Sequence, residues 1–116
     1  AGEPVTIYGD GLQERDFVYV ADCARANVQL AESDRVGIYN LGSGEGSTVN
    51  LLFSELANII EYSQPAHYAP GKAGETYKIY LDSRRAQAEL HWSPTVSLAD
   101  GLRQTVAYAR EYERSA

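Results

Sequence analysis

A single cysteine, Cys23, stands in 116 residues, so no disulfide can form within the chain. A reducing, cytoplasmic setting is the expectation that follows. No apolar run approaches the roughly 20 residues that cross a bilayer as a helix. No basic-then-apolar leader opens the chain, so no secretory signal is read. Positive charge is also short: 10 Lys and Arg against 16 Asp and Glu give a formal net charge of −6. A general nucleic-acid binder needs a basic face, and this balance speaks against one. It leaves room for one small anion, for which a local Arg or Lys suffices. The only two histidines, His67 and His91, have no ligand spacing between them, which argues against a metal site. There is no internal repeat and no low-complexity linker.

What is present describes one small globular domain. Hydrophobic residues make up 44% and charged residues 22%, ordinary usage for a folded chain of this length. Nine tyrosines are many for the length. Tyrosine covers apolar surface and keeps one polar tip, so these residues read either as half-buried strands or as a surface that stacks a ring or docks another domain.

Hydrophobic periodicity and punctuation residues place the elements. Pro4 to Tyr8 reads as a strand, broken by Gly9-Asp10-Gly11. Asp16 to Val20 is a second extended run. Asp22 is the expected cap of a helix over Cys23 to Glu32, with Ala24, Val28 and Ala31 on one face. Gly37 to Leu41 is a third strand. Ser47 or Thr48 caps the clearest helix, Val49 to Tyr62, whose stripe is Val49, Leu52, Phe53, Leu56, Ile59 and Ile60. Ala66 to Ala69 is a short extended piece, and Tyr77 to Leu81 alternates weakly, as a strand would. Asp82 is the expected cap of a helix from Ser83 to Leu90, Trp92 with Pro94 a core anchor, and Ser97 to Asp100 a capping box for the last helix. Strands and helices mixed with short connections indicate an α/β fold, α+β if the chain is a fragment, with a few short strands and about four helices. A strand at the very start of a chain is also what remains when an upstream part has been removed.

Three segments invite a chemical reading. Gly42-Ser43-Gly44-Glu45-Gly46 follows a strand and precedes a helix, but Ser47 stands where a dinucleotide fingerprint has its third glycine. It reads as a turn. Tyr68-Ala69-Pro70-Gly71-Lys72 spells Tyr-x-x-x-Lys, yet Pro70-Gly71 prevents the helix that would align the pair. Arg15 follows two glycines that allow a tight turn. A guanidinium holds phosphate oxygens in a bidentate fork, although Arg15 taken alone reads as ordinary exposed surface charge.

The run Ile7-Tyr8-Gly9-Asp10-Gly11-x-Gln13-x-Arg15-Asp16-Phe17-Val18-Tyr19-Val20-x-Asp22 resembles a signature of the extended short-chain dehydrogenase/reductase family, which includes nucleotide-sugar epimerases and dehydratases. Further blocks follow in the family's order: Tyr39-Asn40-Leu41-Gly42-Ser43-Gly44, then Thr48-Val49-x-x-Leu52, then Pro70-Gly71-Lys72-Ala73-Gly74-Glu75, then Asp82-Ser83-x-x-Ala86-x-x-x-Leu90-x-Trp92-x-Pro94, and Leu98-x-x-Gly101-Leu102. His91 stands where the family usually has glycine, and Lys72 where it usually has arginine.

The resemblance covers the family's last third. It implies that residues 1–116 are the C-terminal NDP-sugar-binding domain and that the N-terminal dinucleotide-binding domain, with its catalytic residues, lies outside them. It implies that Thr6, Ile7 and Tyr8 face the nucleotide base and that Arg15 and Lys72 hold the diphosphate. It gives this chain no catalytic, cofactor-binding or metal residue. The parent would bind NAD on the missing domain and remove hydride at C4 of a UDP- or dTDP-sugar, giving a 4-keto intermediate for epimerisation or dehydration. The expected partners are the NDP-sugar, the missing domain and a second copy of the chain, with no nucleic acid or membrane. Two other readings stand beside this one: a stand-alone nucleotide-diphosphate binder, and a non-catalytic fragment that self-associates.

Overall fold

β-Branched and aromatic residues open the chain as strand β1, Thr6–Tyr8, which alternates outward and inward so that only Ile7 is buried. It pairs in parallel with β4, His67–Ala69, in the register Thr6 to His67 through Tyr8 to Ala69. The turn after β1 needs Gly11 for two reasons. Its φ is +74°, and a Cβ there would lie 2.0 Å from Asn50 Oδ1. A two-residue strand β2, Glu14–Arg15, then pairs antiparallel with β3, Ser47–Thr48. The structure, a computed structural model, describes residues 3–75 and 77–115.

Among the described residues four helices complete an α/β fold: α1, Val20–Ala31; α2, Val49–Ile60; α3, Arg84–Leu90; and α4, Leu98–Ser115. Thr48 caps α2 as expected, its hydroxyl accepting from Leu51 N–H at 3.1 Å. The helix stops two residues short of the expected Tyr62, because Glu61 turns left-handed at φ 58°. Asp82 accepts the Arg84 N–H that opens α3, and Ser97 Oγ accepts the Asp100 N–H that opens α4. His91 ends α3 at φ 55°, a backbone region that favours glycine. This gives a physical reason for a glycine at that position in other sequences.

Asp22 is not a cap. Helix α1 begins at Val20, and its cap residue, Tyr19, makes no side-chain bond. Asp22 lies instead in the first turn and is 1% exposed. Its carboxylate accepts from the Thr95 and Val96 N–H groups, each at 3.1 Å, from the Thr95 hydroxyl at 2.9 Å and from Arg25 at 2.9 Å. Its backbone carbonyl accepts from Trp92 Nε1 at 2.8 Å. The indole is fully buried against Ala26, Ala86 and Leu90, with Val18, Leu30, Tyr39 and Leu41 packed around them. The expected core anchor is therefore one half of a joint, and the misread aspartate is the other.

Three expected strands differ in the same way. Residues 16–20 form no ladder, because Asp16 turns its carboxylate onto Ser43 N–H, Gly44 N–H and Leu81 N–H and binds those segments by its side chain. Gly42 is required beside it, since a Cβ would fall 2.5 Å from Asp16 Oδ2. Residues 37–41 are not paired with any strand among the described residues. Tyr77 to Leu81 is reduced to one bridge, Lys78 to Glu14.

Helix α2 packs on α4 but buries no residue fully. The radius of gyration is 16.7 Å and the extents are 50 × 37 × 21 Å, against about 13 Å for a compact chain of this size. The molecule is a slab with much apolar surface on its faces. Among the described residues no helix is long and apolar enough to cross a membrane.

Burial alone would raise the Asp22 carboxyl, but the hydrogen bonds from Val96, Thr95 and Arg25 outweigh it and hold it below its ordinary 3.8. Asp16 is lowered by the same balance, with Ser43, Leu81 and Gly44 as donors. A depressed carboxyl contributes stability that is present above its unfolded pKa and lost as pH falls through the folded one. Urea midpoints should therefore be level above about pH 5 and fall below about pH 4, with a shallower fall in Asp22→Asn. Asp22→Ala, which strands two amides and the Arg25 charge, should cost about 3–5 kcal/mol at neutral pH.

Candidate functional site

Strand β1 and the first turns of α2 form the walls of a groove of about 670 Å³, lined by Val5, Thr6 and Ile7 on one side and Val49, Leu52 and Phe53 on the other. The loop from Lys72 to Glu75 closes one end. Beyond it lies a more polar volume of about 230 Å³ bordered by Gly9, Asp10, Gly71 and Tyr77. Tyr8, Gln13, Lys72 and Glu75 line both. One half of the cleft thus offers apolar walls and the other offers charge.

Among the described residues the edge of β1 away from β4 is open, since β1 belongs there to a two-stranded sheet. Val5 C=O and Gly9 N–H are bonded towards β4, and alternation along a strand directs the main-chain groups of Thr6 and Tyr8 to the other edge. There the Tyr8 carbonyl accepts from Gln13 Nε2 at 2.9 Å.

Four of the five expected site residues line this cleft: Thr6, Ile7, Tyr8 and Lys72. Lys72 holds its ammonium 4.7 Å from the Tyr8 ring centroid and makes no ion pair among the described residues. Arg15 lines neither volume. Contrary to the exposed position expected for it, its side chain is only 29% exposed. It donates to the Glu14 carbonyl at 2.7 Å and pairs with Glu75 at 3.1 Å. Arg15 therefore reaches the cleft through Glu75, a lining residue to which the sequence reading gave no role. Gln13 and Asn50 were also passed over. Asn50 donates to Asp10 C=O at 3.2 Å and accepts from the Tyr68 hydroxyl at 2.7 Å, fixing the far wall. The signal for Gln13 was the quoted block itself, which sets a glutamine two residues before Arg15.

The glycine-rich loop before α2 does not fit a dinucleotide. Its Ser43 and Gly44 amides are spent on Asp16. The first amides of α2 are spent too: Val49 on Gln13 C=O, Asn50 on Gly11 C=O and Leu51 on Thr48. With the donors engaged, the loop cannot serve as a phosphate cradle. Tyr68 and Lys72 also diverge, since Tyr68 lies in β4 and turns to Asn50. No group of three or more His, Cys, Asp or Glu among the described residues could hold a metal ion.

Residues 1–42 match the model of the NAD dependent epimerase/dehydratase family. Over 109 residues the chain is 38% identical to a putative UDP-glucose 4-epimerase of Methanocaldococcus jannaschii, covering 94% of this chain and 35% of that protein. It is similar to the crystal structure of UDP-glucose 4-epimerase with UDP-glucose from Thermotoga maritima, with a TM-score of 0.92 and 43% identity over 96% of this chain and 36% of that one. It is similar also to UDP-glucuronic acid 4-epimerase from Bacillus cereus in complex with UDP-glucuronic acid and NAD, with a TM-score of 0.88 and 34% identity over 96% and 36% of the two chains. The chain spans about a third of the length of these relatives.

The Arg15–Glu75 pair is partly exposed on both sides, and such pairs contribute about 0.2–1 kcal/mol. Glu75→Gln should therefore shift the free energy of unfolding in urea by less than about 1 kcal/mol, while leaving Arg15 free for another anion.

Proposed function

We propose, from the premise that this chain is a relative of the NAD-dependent epimerase/dehydratase family, that it is the nucleotide-diphosphate-holding part of an enzyme acting on a UDP- or dTDP-sugar. The observation that carries this reading is the cleft itself, with apolar walls leading to Lys72 and Arg15 and an open strand edge running along it. Uracil and thymine present an acceptor–donor–acceptor edge. Thr6 C=O and Tyr8 N–H, on the unpaired side of β1, supply a matching acceptor and donor. The base lies against Val49 and Phe53, and the diphosphate lies at Lys72 with Arg15 turned towards it.

Magnitudes favour that turn. Releasing Arg15 from Glu75 costs no more than about 1 kcal/mol, whereas a charge-assisted hydrogen bond to phosphate contributes roughly 1.5–3 kcal/mol. Holding the diphosphate fixes the sugar at a distance, which is how remote contacts raise the rate of a reaction elsewhere on the substrate. NAD would supply the redox chemistry at C4 of the sugar from a domain outside these residues. No residue of this chain is assigned to that step. Epimerisation and dehydration both fit this share of the work. A cytoplasmic location belongs to the same reading, with Cys23 unpaired.

The test is an NMR-detected titration of the 116-residue chain with UDP, UMP and NAD. UDP should bind more tightly than UMP by about one to two decades, and Arg15→Ala should remove most of that difference. Arg15→Lys should recover only part of it, because the fork is lost. Equal affinities for UDP and UMP, or micromolar binding of NAD, would overturn the reading.

A second reading, self-association of the chain by itself, is favoured by one observation. Val36 and Ile38 are 89% and 85% exposed in a segment that is β-rich in sequence and unpaired in the structure. Apolar surface of this kind promotes association. Light scattering should show a dimer or larger species, and Val36→Asp with Ile38→Asp should return it to monomer. A clean monomer for the unaltered chain at high concentration would refute this.

A further inference from the structure

Gln13 is 8% exposed. Its Nε2 donates to the Tyr8 carbonyl at 2.9 Å, while its Oε1 is buried and meets no donor among the described residues. Chemistry fixes which end of the amide faces Tyr8: a carbonyl only accepts, so the NH2 group lies there and the oxygen faces away. An acceptor shut away without a donor works against folding. Such a residue at the wall of a cleft calls for a donor that the described residues do not supply.

Its place in the cleft says which donor. Gln13 borders both the apolar volume and the polar one. A nucleotide carries its parts in the same order: a flat base, then a sugar with hydroxyl groups, then charged phosphates. With the base along Thr6 to Tyr8 and the phosphates at Lys72, the ribose falls at the boundary where Gln13 stands. We infer that Gln13 is a ligand-binding residue whose Oε1 accepts a hydrogen bond from a ribose hydroxyl, so that the cleft selects nucleoside diphosphates carrying that hydroxyl over analogues without it. The inference rests on the nucleotide-diphosphate reading and adds a contact to it.

Access to the oxygen requires one movement. A Cβ on Gly9 would lie 3.8 Å from Gly71 Cα and 3.9 Å from Gln13 Oε1. The end of β1, the 71–75 loop and the amide are thus stacked with no side chain between them. Gln13, Gly71, Lys72 and Glu75 border the same polar volume, and a hydroxyl entering it reaches Oε1 once the groups around the amide draw back. The amide itself stays tied to Tyr8, so the acceptor is held in place before the ligand arrives. Loss of a hydrogen bond to such an acceptor lowers affinity by about tenfold.

The test uses the isotopically labelled 116-residue chain, titrated with UDP and with 2′,3′-dideoxy-UDP. The dideoxy compound should bind about tenfold more weakly, and the Gln13 side-chain amide resonance should move with UDP but not with the analogue. Gln13→Leu should bring the two affinities together. If the leucine variant does not fold, the Gln13 side-chain amide resonance of the unaltered chain decides the matter, an equal movement with both compounds overturning the contact. Equal binding of both compounds to the unaltered chain, or an undiminished preference in a folded Gln13→Leu, overturns the role of Gln13 and leaves the diphosphate reading standing. No binding of UDP at all overturns both.

Discussion

One buried carboxylate ties the chain together. Asp22 lies beneath the first turn of α1 and takes four hydrogen bonds, from Thr95, Val96 and Arg25, while its carbonyl holds the indole of Trp92. It thereby joins the 20–31 helix to the 92–96 loop some 70 residues away. Helix α3 packs against the same indole, and helix α4 starts two residues after Val96. The buried apolar side chains among the described residues are few, namely Ile7, Ala26, Ala86, Leu90 and Trp92, and two of them are alanine. A core of that size contributes little by area alone. A carboxylate with every lone pair engaged supplies the fixed geometry that a larger core would otherwise give.

The same device recurs nearer the cleft. Asp16 gathers the amides of Ser43, Gly44 and Leu81 around one carboxylate. In doing so it fixes the glycine-rich loop as a structural turn and removes it from consideration as an anion site. Positive charge at the cleft is left to Lys72, with Arg15 behind Glu75. Both are held by weak internal partners, an aromatic face and a partly exposed glutamate. Cations resting on partners of small energy are readily drawn to a doubly charged ligand, which is the physical content of the functional reading.

Much of the molecule's apolar surface remains uncovered. Helix α2 buries none of its stripe fully, and Val36 and Ile38 stand clear of the protein, while Tyr39 and Leu41, which follow them, pack inward. That alternation is the pattern of a strand with one face covered. A slab with a small core and a β-like segment without a neighbour is physically suited to packing against further protein.

Periodicity and capping chemistry determined the helices. The α2 stripe, the Thr48 cap and the Ser97 capping box were legible because each depends on residues within one or two turns of one another. Thr6, Ile7, Tyr8 and Lys72 were named through the ordered blocks resembling an epimerase family and not through any local pattern, and the fold brings them to one cleft. Only the tertiary structure decided what the aspartates do. Asp22 reads as a cap because a cap is local, but its partners lie at Thr95 and Val96, and no pattern within a turn can reveal them. The strands at 16–20, 37–41 and 77–81 were over-read on similar grounds, since β propensity marks a segment able to pair and only the fold provides the neighbour. Arg15 was assigned to phosphate from its motif, yet its pairing with Glu75, 60 residues on, arises where two loops meet. Sequence fixed the local chemistry of each segment, and packing chose which distant groups that chemistry would meet.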